Sequence, residues 1–298
     1  MKFRTVSDFY REKFGCKVYK ISLSAACTCP NRDGTKGVGG CIFCSASGSG
    51  DFAADGKKSI KEQIAEAKLR VAKKMDGKNG KFIAYFQNFT NTYGNPERLE
   101  NLFREAIAEK DIVGLDIATR PDCLGRNILS RIGSLSRETF VSVELGLQTS
   151  RDDTAQKINR CYKTAEYDDA VRALHAENPE IHVVTHVIFG LPGESAEDML
   201  ETVSHALHAG TDGIKFTVLH VLKNTALLKM YEKGEIRCLS KDEYFSILKR
   251  AISLISLIDE KTVVHRLTGD GDKKILVAPL WTSNKRQVLN ELAHFLRD

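Results

Sequence analysis

Six short runs of β-branched and aromatic residues recur along this chain, and a longer segment with helical character follows each of them. Runs of this kind indicate strands, and strands that alternate with helices are typical of a parallel sheet built from βα units. Several of the runs are apolar throughout, which is expected of strands that are buried on both faces. The predicted strands are Val18 to Ser24, Phe82 to Phe89, Ile112 to Ala118, Phe140 to Leu147, His182 to Phe189 and Ile214 to Val221.

This succession predicts an α/β fold, in the form of a partial (β/α)6 TIM-like barrel of parallel strands with a C-terminal helical extension. Beyond Val221 the pattern changes to a long amphipathic helix, roughly Lys241 to Ile258, and a last helix from about Asn284. We therefore expect a barrel over residues 1–222, with a distinctive loop at 25–50, and an extension packed on it over 223–298. Functional groups in such barrels lie at the C-terminal ends of the strands.

The composition is that of a soluble globular protein with a sizeable core, because 42% of the 298 residues are hydrophobic and 28% are charged. No apolar run is long enough to span a membrane, and the first residues lack the apolar core of a signal peptide. We therefore expect a cytoplasmic protein with no membrane partner. Eight cysteines in such a chain favour reduced thiols, used for metal binding or packing, over a disulfide framework.

Cys29, Cys41 and Cys44 follow the first predicted strand and are candidate metal ligands. A structural zinc ion normally takes four protein ligands, and a fully protein-ligated iron-sulfur cluster takes four thiolates. A triad of cysteines therefore favours a [4Fe-4S] cluster with one open iron, which can bind a substrate or cofactor. A zinc site completed by a histidine is the alternative.

The segments around the triad, Cys29-Pro30-Asn31-Arg32-Asp33-Gly34 and Cys41-Ile42-Phe43-Cys44, resemble the radical S-adenosylmethionine (SAM) enzymes. The usual spacing in that superfamily is Cys-x3-Cys-x2-Cys, whereas the wider spacing here resembles the branch that contains the catalytic subunit of Elongator. Thr119-Arg120-Pro121-Asp122 also matches that branch. The resemblance implies a [4Fe-4S] cluster and SAM as cofactors. It leaves Cys27 outside the motif, and we interpret it, with Cys16, Cys123, Cys161 and Cys238, as a small hydrophobic residue.

The same resemblance implies a set of SAM-binding residues after successive strands. Phe43 is expected near the adenine, and Arg160 is expected to meet the SAM carboxylate. Thr90-Asn91-Thr92 stands where relatives carry a glycine-rich motif for the SAM amino group, although a plain Asx-turn would explain it equally well. The complete set is Phe43, Thr90, Asn91, Thr92, Arg120, Glu144, Gln148, Arg160 and Gly190.

Glu144 stands out without any resemblance, because it places a carboxylate in the otherwise apolar fourth strand. A buried charge needs partners, so we interpret Glu144 as a site residue. His182 and His186 lie on one face of the fifth strand, four residues apart. Core packing or substrate contact is favoured for both over metal binding, because no third ligand is apparent.

Leu219 to Thr225 and Val264 to Asp270 match signatures of one bacterial radical SAM family, which is linked with tRNA wobble-uridine side-chain processing. The resemblance implies an enzyme that cleaves SAM reductively to a 5′-deoxyadenosyl radical. Its expected substrate is tRNA, in which carboxymethylaminomethyl uridine becomes aminomethyl uridine, and its reductant a flavodoxin or ferredoxin. The implied substrate-side residues, together with Glu144 as catalytic candidates, are His220, Lys223, His265 and Arg266.

Two alternatives remain: a radical SAM enzyme acting on a small metabolite or protein side chain, and a non-catalytic iron-sulfur sensor or assembly protein. The net charge does not discriminate between these functions, because 44 basic and 39 acidic residues leave a formal excess of only +5. Nine basic residues and three acidic ones fall between Lys57 and Lys81. We favour a solvated helix face for that stretch over an RNA contact.

Overall fold

A computed structural model describes residues 3–48, 53–75, 80–269 and 271–297. The strands are β1 (Val18–Leu23), β2 (Lys81–Phe86), β3 (Ile112–Thr119), β4 (Phe140–Gln148), β5 (His182–Phe189), β6 (Gly213–Val218), β7 (Val221–Leu222), β8 (Val263–Arg266) and β9 (Leu276–Ala278). The helices are α1 (Val6–Phe14), α2 (Ile60–Met75), α3 (Pro96–Ala108), α4 (Arg126–Ser136), α5 (Asp152–Lys157), α6 (Thr164–Glu177), α7 (Ala196–His208), α8 (Ala226–Glu232), α9 (Lys241–Ile258) and α10 (Lys285–Phe295).

The main sheet has seven parallel strands in the order β1-β2-β3-β4-β5-β6-β8, and it curls into a half-barrel with helices around it. The curl is visible in one contact: the ammonium group of Lys20 on β1 lies 2.8 Å from the carboxylate of Glu144 on β4, three strands away. The α/β partial barrel predicted from the sequence is therefore confirmed.

The number of strands is a correction to the sequence prediction. Val263–Arg266, which we had placed in the extension, pairs in parallel with β6 and forms the seventh strand. The sequence obscures this strand because β7, α8 and α9 separate it from β6, so the regular βα spacing is lost. The second strand is also shorter than expected and ends at Phe86.

The two ends of the half-barrel differ. At the N-terminal ends of the strands, α1 lies against the sheet, and the ring of Phe9 stacks on His182, the first residue of β5, at a centroid distance of 4.6 Å. At the C-terminal ends, β7 pairs antiparallel with β9 to form a two-stranded ribbon beside the end of β6. No helix in the described ranges is long and apolar enough to cross a membrane.

Candidate active site

A cavity of about 270 Å³ lies at the C-terminal ends of the parallel strands. Its walls come from the loop after β1, from the strand ends and from the segment that follows β8. The residues predicted from the sequence that line this cavity are Cys29, Cys41, Cys44, Phe43, Thr90, Arg120, Glu144, Gln148, His220 and Arg266.

The loop after β1 is shaped to present its three thiols. The guanidinium of Arg32 donates hydrogen bonds to the backbone carbonyls of Cys44 and Ser45 and so fixes the second half of the loop. Gly40 has a φ of 79°, and a Cβ there would lie 2.9 Å from Nε of Arg32. This position therefore requires glycine, both for its backbone conformation and for the close approach of the arginine.

All three cysteines of the triad line the cavity. Burial, together with the neighbouring Cys44 and Cys29, raises the pKa of Cys41 to about 12. By contrast, Cys27 does not line the cavity, and its sulfur accepts a hydrogen bond from Arg98 at 3.5 Å. The geometry is consistent with the interpretation that Cys27 is not a ligand.

This donor set fits an iron-sulfur cluster better than a single metal ion. Within the described ranges, no three His, Cys, Asp or Glu side chains are close enough to hold one metal ion together. A [4Fe-4S] cluster binds each thiolate through a different iron, so its ligands stand farther apart than those of a tetrahedral zinc. Three soft thiol donors around one cavity are the ligands such a cluster takes.

Glu144 lies on the floor of the cavity and is the centre of a buried charge network. Its Oε1 atom accepts hydrogen bonds from Lys20, at 2.8 Å, and from Lys215. Burial alone would raise the pKa of Glu144, but the charges of Lys20 and Lys215 hold it well below its usual range. The second carboxylate, Asp116, pairs with Lys20, yet burial and the charge of Glu144 raise the pKa of Asp116 to about 7.

The other carboxylate oxygen of Glu144 binds two side chains that also line the cavity. The hydroxyl of Tyr85 donates to Oε2 at 2.6 Å, and Nε2 of His186 lies 2.8 Å from the same atom. Burial lowers the pKa of His186 to about 4, so its ring is neutral near pH 7. The floor of the cavity thus presents a phenol and a neutral imidazole, both oriented by one carboxylate.

Besides Glu144, four of the predicted cofactor-binding residues line the cavity. Arg120 is extended, as the following proline favours, and makes a bidentate pair with Asp122 at 2.9 Å for both bonds. Gln148 ends β4 with a φ of 62°, at a β-bulge, and accepts a hydrogen bond from Tyr162 at 3.0 Å. Bulges of this kind re-aim side chains beside active sites. Phe43 and Thr90 complete this group.

Arg160 is a correction, because the structure does not bring it to the cavity. Its side chain is fully buried, and it donates to the carbonyls of Leu147 and Thr149, both at 2.6 Å, and of Tyr162 at 3.1 Å. These bonds satisfy backbone groups at the end of β4. Arg160 therefore supports the cavity wall and does not present its guanidinium to a ligand.

Three further cofactor candidates also lie behind the cavity surface. The amide of Asn91 donates to the carbonyls of Phe86 and Ala118, which ties β2 to β3, and Thr92 is buried beside them. Gly190 packs against Leu239, whose Cγ would lie 3.1 Å from an added Cβ. These residues shape the cavity from outside.

The substrate-side candidates also fall into two groups, those that line the cavity and those that do not. His220 and Arg266 line the cavity, whereas Lys223 is exposed on the ribbon outside it. His265 points to the opposite end of the half-barrel, where its Nε2 lies 2.8 Å from Nε2 of His182. His265 and Arg266 diverge at an irregularity in the strand pairing, because β6 pairs with Val264 and Arg266 and skips His265.

Sequence reasoning missed Lys20, Asp116 and Lys215, although the signal that identified Glu144 was present for each. All three place a charge in a predicted strand of mostly apolar residues. Lys20 reaches Asp116 and Glu144 across the sheet only because the sheet curls, and Lys215 also reaches Glu144, so these pairings could not be read from the chain. Tyr85 carries no such signal, since an aromatic residue is ordinary in a strand.

Two family models match the chain. The model of the radical SAM superfamily matches residues 29–206, more than half of the chain, and the model of the radical SAM C-terminal domain matches residues 211–298. The chain belongs to the radical SAM superfamily. Members of this superfamily use a [4Fe-4S] cluster and SAM, so both cofactors expected from the sequence are confirmed, and membership supports an enzyme.

The uncharacterized protein YtqA of Bacillus subtilis is 41% identical over 291 residues, which cover 98% of this chain and 88% of YtqA. Elongator complex protein 3 of Schizosaccharomyces pombe is 23% identical over 211 residues, which cover 70% of this chain and 37% of that protein. The solved structure of the archaeal Elp3 of Methanocaldococcus infernus matches with a TM-score of 0.65 at 18% identity; the match covers 93% of this chain and 63% of the archaeal chain. The Elongator-like branch recognised in the sequence is therefore supported.

Of this chain's own residues, Cys29, Cys41 and Cys44 would hold the cluster, and Phe43, Thr90, Arg120 and Gln148 would contact SAM from the surrounding wall. The cluster and SAM together supply a strongly oxidising carbon radical. The chain's own residues fix the loop of the triad through Arg32 and enclose the cavity above the floor around Glu144.

Proposed function

We propose that this radical SAM enzyme acts on tRNA and converts the carboxymethylaminomethyl group of a wobble uridine to aminomethyl. The reaction would begin with reductive cleavage of SAM, using electrons from a flavodoxin or ferredoxin. The observation that carries the proposal is the placement of exposed lysines at both edges of the cavity mouth, which suits a polyanion laid across it.

The first lysine group lies at the β1 edge of the sheet. The backbone N–H of Ala54 donates to the carbonyl of Ser22 at 3.3 Å, so the segment before α2 runs along the C-terminal end of β1. Lys57, Lys58 and Lys61 follow directly and are exposed. Of the other lysines in this stretch, Lys81 pairs with Asp111, and the side chains of Lys73, Lys74 and Lys78 lie outside the described residues.

The second group lies at the other edge, on the ribbon of β7 and β9. Lys223, Lys273 and Lys274 are exposed there, and the neighbouring Gly271 lines the cavity. None of these three lysines, nor Lys57 or Lys61, makes an ion pair with an acidic residue of the described chain. Unpaired cations at two separated edges match the spaced phosphates of a folded RNA.

The test is the nucleoside composition of tRNA from cells that lack this gene, measured by mass spectrometry. We expect carboxymethylaminomethyl uridine to accumulate and aminomethyl uridine to disappear, and the reconstituted enzyme to reverse this in the absence of oxygen. An unchanged nucleoside profile would instead favour a small metabolite or a protein side chain as the substrate. Failure of the reconstituted protein to cleave SAM would favour a non-catalytic cluster protein.

Charge reversal provides a second test with a matched control. Reversal of Lys223, Lys273 and Lys274 should weaken tRNA binding and reduce its salt dependence, because fewer counterions are released. Reversal of Lys110 and Lys261, which are exposed at the N-terminal end of the half-barrel, should leave binding unchanged. Equal effects of the two sets would indicate a general charge effect and no docking at the mouth.

A further inference from the structure

We propose that Arg266 and His186 recognise the two polar ends of a carboxymethylamino group, with Arg266 binding its carboxylate and His186 accepting a hydrogen bond from its amine. The inference rests on the proposed function, in which the substrate uridine carries this group. It assigns the chemical feature by which the cavity would select that uridine.

Arg266 is a fixed cation whose charge no described carboxylate neutralises. Its Nε donates to the carbonyl of Phe216 at 3.3 Å, and its Nη2 donates to the hydroxyl of Thr217. Both partners are neutral, and Nη1 has no partner among the described residues. Arg120, the other arginine on the strand ends of this cavity, already forms a bidentate pair with Asp122. A ligand carboxylate would supply the partner that Arg266 lacks.

The position of Arg266 points to the substrate and not to the cofactor. Arg266 ends β8, and the loop with the cysteine triad follows β1; these two strands are the opposite edges of the sheet. Arg266 and the thiols therefore belong to different walls of the cavity. SAM itself carries an amine and a carboxylate, so the experiment must show whether Arg266 binds the carboxylate of SAM or that of the modified uridine.

His186 supplies an acceptor of fixed tautomer. The carboxylate of Glu144 can only accept, so Nε2 of His186, 2.8 Å away, must carry the hydrogen. The ring is neutral, which leaves Nδ1 as an acceptor. Nδ1 has no hydrogen-bond partner among the described residues, and 28% of the side chain is exposed, at the cavity. Arg266 and His186 both line the cavity, so the two groups face the same space.

The experiment measures the binding of two forms of one anticodon stem-loop to the reconstituted protein with SAM. One form carries carboxymethylaminomethyl uridine and the other carries its neutral amide. We expect the wild type to prefer the acid by about tenfold or more, as a charge-assisted hydrogen bond would give. Arg266→Gln should abolish this preference and leave SAM affinity unchanged, whereas Arg237→Gln, at an exposed arginine paired with Glu243, should change neither.

His186→Gln separates the second half of the proposal. A glutamine amide can still donate to Glu144, but it offers no acceptor at the place of Nδ1. We expect it to weaken both stem-loops equally, because both retain the amine. An unchanged affinity for both would overturn the role of His186.

Other outcomes also decide the proposal. A wild type without preference for the acid, or an Arg266→Gln protein that keeps it, would overturn the assignment of Arg266, and weakened SAM binding in that variant would assign the guanidinium to SAM. If Arg266→Gln does not fold, the affinities of the wild type and of Arg266→Lys for the two stem-loops still decide the proposal. A wild type that produces no aminomethyl uridine from intact tRNA would refute the proposed function itself. Product formation is measured separately from the affinities for the two stem-loops, so the two failures can be distinguished.

Discussion

Replacement of the two buried carboxylates by their amides should have very different effects on stability. Glu144 and Asp116 are both fully buried and both contact Lys20, so Glu144→Gln and Asp116→Asn are matched changes in one network. Their pKa values nevertheless move in opposite directions, because Glu144 has two ammonium partners and Asp116 has one. We expect the first variant to be strongly destabilised and the second to be nearly neutral.

The magnitude follows from what each amide leaves behind. In Glu144→Gln, Asp116 can still neutralise Lys20, but Lys215 loses its carboxylate; an uncompensated buried charge costs roughly 3 to 5 kcal/mol. Asp116 has one oxygen, Oδ1, without a hydrogen-bond partner among the described residues, so Asp116→Asn can keep its carbonyl on Lys20. That change should cost no more than about 1 kcal/mol.

The pH dependence has a definite sign. The folded pKa of Glu144 lies below its unfolded value of 4.5, so its stabilisation is present above that pH and is lost as the pH falls further. The folded pKa of Asp116, about 7, lies above its unfolded value of 3.8, so its contribution is full below pH 3.8 and is lost as the pH rises through 7. Asp116→Asn removes the group that titrates near pH 7, so the stability of this variant relative to the wild type should rise between pH 6 and pH 8.

The assay is thermal unfolding of both reconstituted variants without oxygen at the two pH values, at one SAM concentration. For a chain of this size about 2 °C per kcal/mol is expected, so Glu144→Gln should lower Tm by about 6 to 10 °C and Asp116→Asn by about 2 °C or less. Equal losses in the two variants, or an Asp116→Asn loss relative to the wild type that grows as the pH rises, would refute the assignment of the network charge to Glu144.

Other predictions concern ligands and partners. Replacement of any cysteine of the triad by alanine should abolish cluster iron, whereas Cys27→Ala should retain it; the opposite result for Cys27, from iron and sulfide analysis, would show that it is a ligand. Arg160→Ala should lower Tm, because the buried carbonyls it binds lose their donor at about 1 to 3 kcal/mol each. Calorimetry should find its SAM affinity unchanged when the protein is folded, and a large loss of affinity would return Arg160 to the SAM pocket. Binding of tRNA should weaken as salt rises, and charge reversal of Lys57 and Lys61 should reduce that slope without changing SAM cleavage in the absence of tRNA; an unchanged slope would move the docking surface away from the β1 edge.

The sequence predicts the strands well because each is a compact apolar run, and such runs become strands largely through local preference and burial. Their order along the chain then places every strand end at one edge, so the triad, Glu144 and Gln148 could be expected together. The seventh strand escaped this logic, because Val263–Arg266 gains its place by pairing with β6 across a long insertion. Pairing at that distance leaves no periodic trace in the sequence.

Residue roles were harder to predict than residue positions. The resemblance implied that Arg160 binds SAM. In the structure its guanidinium instead donates hydrogen bonds to buried backbone carbonyls at the end of β4. Lys223 and His265 lie close to cavity residues in the sequence, yet Lys223 lies outside the cavity on the ribbon, and His265 is displaced at an irregularity in the pairing of β6 with β8. The motif matches therefore predicted the position of the cavity more accurately than the side chains that line it.

The buried network links the stability of the barrel to the charge of the cavity. Lys20 and Lys215 contribute two cations, Glu144 stays ionised, and Asp116 titrates near pH 7, so the floor lies between neutral and one positive charge at physiological pH. Arg266, whose charge no described carboxylate neutralises, adds a further cation at one edge. An anionic group entering the cavity therefore meets a positive field in a low dielectric. The same ion pairs that close the half-barrel from β1 to β6 thus bias the site toward acidic substrates, and removal of Glu144 should disturb both properties together.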